Sequence, residues 1–479
     1  MWGYVPFNLL PHLKWLVEED YPHVYYVDGR PTVFDARIFD KTDADHPGGW
    51  GTVMAVTMRF GGGAYFVDWD GVADNGPGGS DEELRMRSTL LLFDVTNPEQ
   101  PPELLLEMSD AQLGDFFFTT GQPALMQNHQ PGSGSDWNNP ATSEWNLVFG
   151  AGPDSLSSGT RADHASVYLL DLKTRQFRTG FSPKVLSDAP ASFIGDARTV
   201  DWSRDGVSDA AYFGVIGGDA IKATGGLKRL TQSAEGAFSV NSMLPIATGR
   251  PITAAPNLTT DDQGQRWVHV GTGRLLVSAD NQSSAAQAFF GLKESSDISA
   301  QITEWVDVGG VGRASDGSLT PATYEIDGDS VTTIDQLNAK IAEKGAWRRA
   351  MSIDGSRPSG RVIEPAVTLE DLVLFTEYQP DGLLCQPSGS SRLYGLDLAN
   401  GVRRIDSGLT IDDGSDEPEL VASIVIGSGL AFSPLIHNST GEFGGSQVIV
   451  ADDKGGYTFQ SVLLPTIQGG RESWRQLTW

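Results

Sequence analysis

A single cysteine, Cys385, in 479 residues rules out an internal disulfide, a Cys-rich zinc cluster and a CxxC redox pair. Positive charge is also scarce. Lys and Arg number 34 against 62 Asp and Glu, a net charge of −28, and such a field repels nucleic acid and anionic membranes. The excess acid suits a solvated surface, a saline habitat or divalent-cation sites, the first being the commonest case. No stretch approaches the roughly 20 apolar residues of a membrane span. The opening residues, Met1, Trp2, Gly3, Tyr4, Val5 and Pro6, have neither the basic nor the apolar region of a signal peptide. These absences predict either a cytoplasmic protein or a fragment of something longer.

Catalytic signatures are missing too. The seven histidines (12, 23, 46, 129, 164, 269 and 437) are scattered without an HExxH motif or a close pair, which argues against zinc. There is no GxSxG elbow and no Walker sequence. Cys385 sits among Pro, Ser and Gly with no base nearby in sequence, so nucleophilic catalysis has no support. Carboxylate pairs for glycoside hydrolysis need only meet in space, and no such pair is singled out.

Turn formers, by contrast, are abundant: Gly (56) and Pro (26) supply about 17 % of the chain, while charged residues supply only 20 %. This composition suits many short strands joined by turns, in two or three domains or in one large repeated β architecture. A repeat is present. LLLFDV (90–95), VYLLDL (167–172) and LYGLDL (393–398) are apolar strands ending in an Asp between large apolar residues. Each is followed by a polar turn and a second apolar stretch (104–108, 177–181 and 402–405), so the unit reads as a hairpin whose Asp bonds the turn amides. Weaker copies end at Thr231, Lys293, Asp354 and Gln460. With Asp94, Asp171 and Asp397 they make seven anchors spaced 43 to 77 residues apart. The expectation is an all-β, seven-bladed β-propeller with long loops, one domain over 1–479.

Apolar pairs followed by Gly-x-Gly at 148–152, 270–273 and 426–429 fit close backbone approaches, since no helix follows to make a phosphate cradle. Two short helices are predicted as braces. One covers 8–19, with Leu9, Leu10, Leu13, Leu16 and Val17 largely on one face. The other is opened by a Thr333/Gln336 capping box and closed by Gly345. Segments 40–88, 128–144 and 294–332, rich in Gly, Ser, Asp and Asn, read as surface loops.

The sharpest chemical signal is DWSRDGVSD at 201–209. Asp201, Ser203, Asp205 and Asp209 place oxygens at positions 1, 3, 5 and 9. Gly at position 6 permits the turn that brings the Val207 carbonyl to the same point, so the spacing suits Ca2+. Position 12 is Tyr212 rather than Glu, and the residues after the loop read as a strand, so the loop is EF-like without being an EF-hand. An Asp-Gly hairpin turn with incidental acids is the alternative. A second acidic run, Asp68, Asp70, Asp74 and Asn75, lacks a first ligand.

The opening MWGYVPFNLLPHLKWL, then HPGGWGTVMAVTMRFGGG, WNLVFGAGPDS, VDWSRDGVSDAAYFG, GRVIEPAV, LFTEYQPDGLLCQPSGSSRLYGLDLANG and the closing RESWRQL resemble, in order, the C-terminal propeller of the PilY family of type IV pilus biogenesis factors. The resemblance implies an exported, non-enzymatic protein of the pilus tip or cell envelope. It would act with minor pilins in pilus assembly and attach to host or abiotic surfaces. It also implies calcium at the loop matching Asp201, Ser203, Asp205, Val207 and Asp209, and a loop position for Cys385. The chain departs from that family in Ser203 and Arg204, and in lacking the von Willebrand factor A-like N-terminal half and the signal peptide. Competing readings are a quinoprotein-like dehydrogenase, which uses similar Tyr-x-Leu-Asp strands and calcium, and a propeller lectin, which the twelve Trp residues leave open.

Overall fold

The computed structural model describes residues 2–21, 24–61, 65–68, 83–109, 117–129, 143–295, 297, 299–353, 357–382, 389–411, 419–438 and 446–464. Cys385 and Asp70, Asp74 and Asn75 of the second acidic run lie outside them, as does most of 128–144.

Three of the strands that carry the repeat are apolar on both faces, and a strand of that kind is stable only between two packed sheets. Tyr168 and Leu170 face one neighbour while Val167 and Leu169 face the other, and all four are buried. The described strands accordingly form six antiparallel sheets of four or five strands. The first runs Thr32–Arg37, Trp50–Val56, Leu90–Asp94, Glu103–Met108, and the second Ala124–His129, Ser143–Gly150, Ser166–Asp171, Gln176–Phe177. The third comprises Ser192–Val200, Ala210–Gly217, Thr224–Gln232 and Phe238–Thr248. The fourth comprises Asn257–Thr260, Arg266–Gly271, Ala288–Lys293 and Ala346–Ala350, with Val306–Asp307 added in parallel. In the fifth, Val367–Leu369, Leu372–Pro380 and Gly389–Asp397 are followed by Ser423–Ser428. The sixth joins Leu435–Asn438, Ser446–Ala451 and Tyr457–Leu463 to Gly408–Ile411 and Glu419–Val421, strands that precede it in sequence.

Successive sheets share apolar cores, one between each neighbouring pair from first to sixth. The result is a propeller-like all-β fold. Six of the seven anchors fall on, or at the end of, the third strand of a sheet, and Asp94, Asp171 and Asp397 accept the turn N–H groups of Thr96, Thr174, and Ala399 and Asn400. The seventh marks no sheet: Asp354 lies outside the described residues, and the strand just before it, Ala346–Ala350, is the fourth of the fourth sheet. Among the described residues there are therefore six sheets of four or five strands where seven blades were expected. Nor does 402–405 form a strand; Ser423–Ser428 pairs in its place.

The remaining expectations divide. The Thr333 capping box is present, with Gln336 returning the bond, and the α-helix Ile334–Lys344 ends at Gly345 in the left-handed conformation. The N-terminal segment is a 3-10 helix, Phe7–Val17, containing Pro11; of its predicted apolar face only Leu9 is buried. Segment 40–88 contains the core strand Trp50–Val56, and 294–332 supplies Val306, Val308, Leu319, Ile326 and Val331 to the core against the fourth and fifth sheets. Of the Gly-x-Gly sites, Gly150 lies against Ile194 and Gly271 against Val362, so closely that a Cβ would stand 2.1 and 2.3 Å from the neighbouring Cβ; a Cβ on Gly427 would have nothing within 4 Å.

His269 lies inside the fourth sheet, 1 % exposed, with Nε2 donating to the Leu398 carbonyl at 2.8 Å. Burial lowers its pKa to about 4, against the smaller opposing effect of that carbonyl. The folded protein therefore refuses a proton that the unfolded chain takes up below pH 6.5. This contribution to stability is complete above pH 6.5 and is lost as the pH falls towards 4, at up to about 1.4 kcal/mol per pH unit. In urea unfolding at pH 7, 6 and 5, His269→Phe is expected to show a shallower acid loss than the parent chain; parallel pH profiles would refute the assignment.

Candidate metal centre

The predicted ligands sit on the hairpin loop joining the first two strands of the third sheet, whose last pair is Val200 with Ala210. Arg204 (φ 58°) and Gly206 (φ 86°) turn the chain back on itself, which glycine does without strain. The carboxylates bond inward. Asp201 Oδ1 accepts from the Asp205 N–H at 3.1 Å and the Ser203 hydroxyl at 3.2 Å, and its Oδ2 from the Gly206 N–H at 2.7 Å. Asp209 Oδ2 accepts from the Ser203 N–H at 2.9 Å, and Asp205 Oδ1 from the Val207 N–H at 2.9 Å.

Two sheets brace the loop. Ser208 donates its N–H to the Gln127 carbonyl at 2.9 Å and accepts the Gln127 N–H on its hydroxyl at 3.1 Å, tying the loop to the second sheet. On the other side the Trp202 indole donates to the Tyr212 hydroxyl at 3.4 Å, and the Arg266 guanidinium lies over the Trp202 ring. Beneath Tyr212 a buried ion pair joins Arg229 to Glu294 of the fourth sheet. Burial, with Glu294 beside it, raises the Tyr212 phenol, and burial raises the Glu294 carboxyl despite Arg229. These supports escaped the sequence reading, although the Trp at loop position 2 and the Tyr at position 12 were visible.

All five predicted residues thus share one exposed nine-residue loop. Three carboxylates, a hydroxyl and a carbonyl are the hard oxygen donors that Ca2+ takes. The carboxylates bond the loop's own amides, however, and among the described residues no three acidic, His or Cys side chains converge as a metal-holding group. The donor types suit a hard cation, while in this arrangement the carboxylates are turned to amides and a hydroxyl of the loop itself.

No family model matches the chain. Two proteins of Xylella fastidiosa, both described as type IV pilus biogenesis factor PilY1 homologs, are each 24 % identical to it. One match runs over 427 residues, 83 % of this chain, and the other over 488 residues, the whole chain. The solved C-terminal domain of Pseudomonas aeruginosa PilY1 superposes with a TM-score of 0.59 at 18 % identity, covering 96 % of this chain and 88 % of that domain. The chain is similar to PilY1 throughout. It spans only 24 % and 33 % of the length of the two PilY1 homologs. The likeness to the PilY1 domain shows a shared fold; at this identity it does not extend to the loop's ligands.

Proposed function

We propose that this chain is a non-enzymatic, calcium-binding propeller module of a type IV pilus assembly factor and tip-associated adhesin, exported to the pilus tip or outer envelope. It would be the C-terminal propeller, 1–479, of a longer protein. The observation that carries the reading is the end-to-end similarity to PilY1 homologs, joined to the shared fold. A propeller needs no active site for such a role: rigid sheets present loops, and loops present binding surfaces to minor pilins or to a host or abiotic surface. Strains of the encoding bacterium lacking this chain are expected to lose surface pili and attachment together; wild-type piliation and attachment in such a strain would refute the role.

Calcium would act on the 201–209 loop, held by Asp201, Ser203, Asp205, the Val207 carbonyl and Asp209. A cation there neutralises three nearby carboxylates and fastens a loop already braced on two sheets. At micromolar affinity in millimolar external calcium, binding would add about 4 kcal/mol to stability. Calorimetric titration after chelator treatment is expected to give one site per chain, weakened at least about tenfold in Asp205→Ala with the fold retained. No binding, or equal affinity in the variant, would leave the loop a turn.

A further inference from the structure

The first strand of each of the six sheets begins at, or bulges into, one cavity of about 220 Å3 at the centre of the fold. Asp196 reaches it from within the first strand of the third sheet, and Arg30, Gln122, Thr253, Glu364 and Phe432 from the segments that lead into the first strands of the other five. Asp196 belongs to the stretch where the pairing of Ser192–Val200 slips register. Its N–H donates to the Thr253 carbonyl at 3.0 Å, which holds the backbone, and its Oδ1 accepts the Gln122 N–H at 2.8 Å, which holds the carboxylate.

The charges in this cavity are mixed and layered. The Glu364 side chain is 16 % exposed, whereas the side chains of Arg30 and Arg59 are 60 % and 45 % exposed. The carboxylates therefore lie deep and the cations nearer the mouth. Arg30 Nη2 approaches Glu364 Oε2 only to 3.7 Å, and Arg59 lies 3.8 Å from Asp28. Glu364 Oε2 and Thr120 Oγ1 are both buried and have no hydrogen-bond partner among the described residues. An acceptor in that position is costly to leave unmet, by more than a typical satisfied bond contributes. Burial raises the pKa of both carboxyls, and the charge of Asp196 pushes Glu364 up further.

We propose that this central cavity binds a small zwitterion of the amino-acid class, its primary ammonium held by Glu364, Asp196 and Thr120 and its anionic group turned to Arg30 and Arg59. An ammonium brings three N–H donors, two for the unmet oxygens of Glu364 and Thr120 and one for the Asp196 carboxylate. A divalent cation suits the site less well, because two guanidiniums share the cavity and two carboxylates with one hydroxyl fall short of the six to eight oxygens that calcium takes. A simple anion would face both carboxylates. The proposal is independent of the calcium loop, which lies between strands of one sheet and shares none of these residues.

Calorimetric titration of the chain with glycine, β-alanine and γ-aminobutyrate, with methylamine and acetate as half-ligands and chelator present throughout, tests it. At least one zwitterion is expected to bind one to one, about tenfold or more tighter than either half-ligand. Thr120→Val and Arg30→Ala are each expected to weaken that binding at least about fivefold, and Thr120→Val to do so without lowering the ligand-free unfolding midpoint. Thr120→Val keeps the side-chain shape, so its readout stands even where Glu364→Gln disturbs folding. Absence of saturable binding up to about 10 mM, methylamine binding as tightly as the zwitterions, or affinities untouched by both variants would overturn the proposal and leave a water-filled channel.

Discussion

Replacing Trp347 with alanine is expected to destabilise the protein by about 3–5 kcal/mol, the range for removing a large buried aromatic. Trp347 is fully buried between the fourth and fifth sheets. Its indole N–H donates to the Leu398 carbonyl at 3.0 Å, and its ring lies 5.9 Å from both His269 and Phe289. Two glycines make room for it. A Cβ on Gly291 would come within 2.2 Å of the indole nitrogen, and one on Gly401, at φ 68°, within 2.5 Å of the six-membered ring. A residue flanked by backbone on both sides leaves a void that the strands cannot close, because their spacing is fixed by ladder hydrogen bonds. Trp347→Phe separates the contributions. It retains most of the ring and loses the N–H, and the Leu398 carbonyl still receives His269, so about 1–2 kcal/mol is expected. Denaturant unfolding of both variants measures this; a loss below about 1 kcal/mol for the alanine variant would show that the two sheets repack across the gap.

The same region shows what the sequence made legible and why the rest stayed hidden. The Asp that ends each strong repeat reports a local bond to the next turn, and local bonds survive in spacing; hence Asp94, Asp171 and Asp397 marked third strands correctly. Between Lys293 and Ala346, however, an insertion with its own short strands and an α-helix separates the third and fourth strands of the fourth sheet. The copy at Met351 to Asp354 directly follows that fourth strand and opens no further sheet among the described residues. Strands of two residues, such as Gly312–Arg313 and Leu319–Thr320, are too short to show a period, so a buried segment read as a loop. The sixth sheet borrows Gly408–Ile411 from ahead of its own first strand, a non-local pairing that no window detects. In the N-terminal segment Pro11 removes a backbone donor from what looked like an α-helical stripe. The metal loop was legible because its donors are consecutive. The central cavity was not, since Arg30, Asp196 and Glu364 lie more than 160 residues apart and meet only when the sheets assemble around them.

Assembly of those sheets places the second large effect at Asp280, where Asp280→Ala is expected to cost about 3–5 kcal/mol, the penalty for breaking a buried pair and leaving its partner charged. Asp280 is 0 % exposed, and Arg274, 3 % exposed, donates Nε to its Oδ1 at 2.7 Å. Oδ2 accepts the N–H groups of Leu276 and Val277, at 2.8 and 3.0 Å. Held in this way, Arg274 reaches the Gly218 carbonyl of the third sheet and the Ser158 carbonyl beside the second. The Asp280 and Arg274 carbonyls in turn receive the Arg361 guanidinium, which leads into the fifth sheet. One carboxylate therefore orients a chain of contacts across four sheets, and truncating it leaves Arg274 buried without its counter-charge. Asp280→Asn tests the electrostatic share, since it preserves the shape and one acceptor; it is expected to lose roughly half as much. Because the clasp joins sheets more than it stabilises any one of them, the alanine variant is also expected to lower the cooperativity of denaturant unfolding, read as a smaller dependence on denaturant concentration. An unchanged slope together with a loss below about 1 kcal/mol would mean that the apolar cores between the sheets suffice to hold them in register.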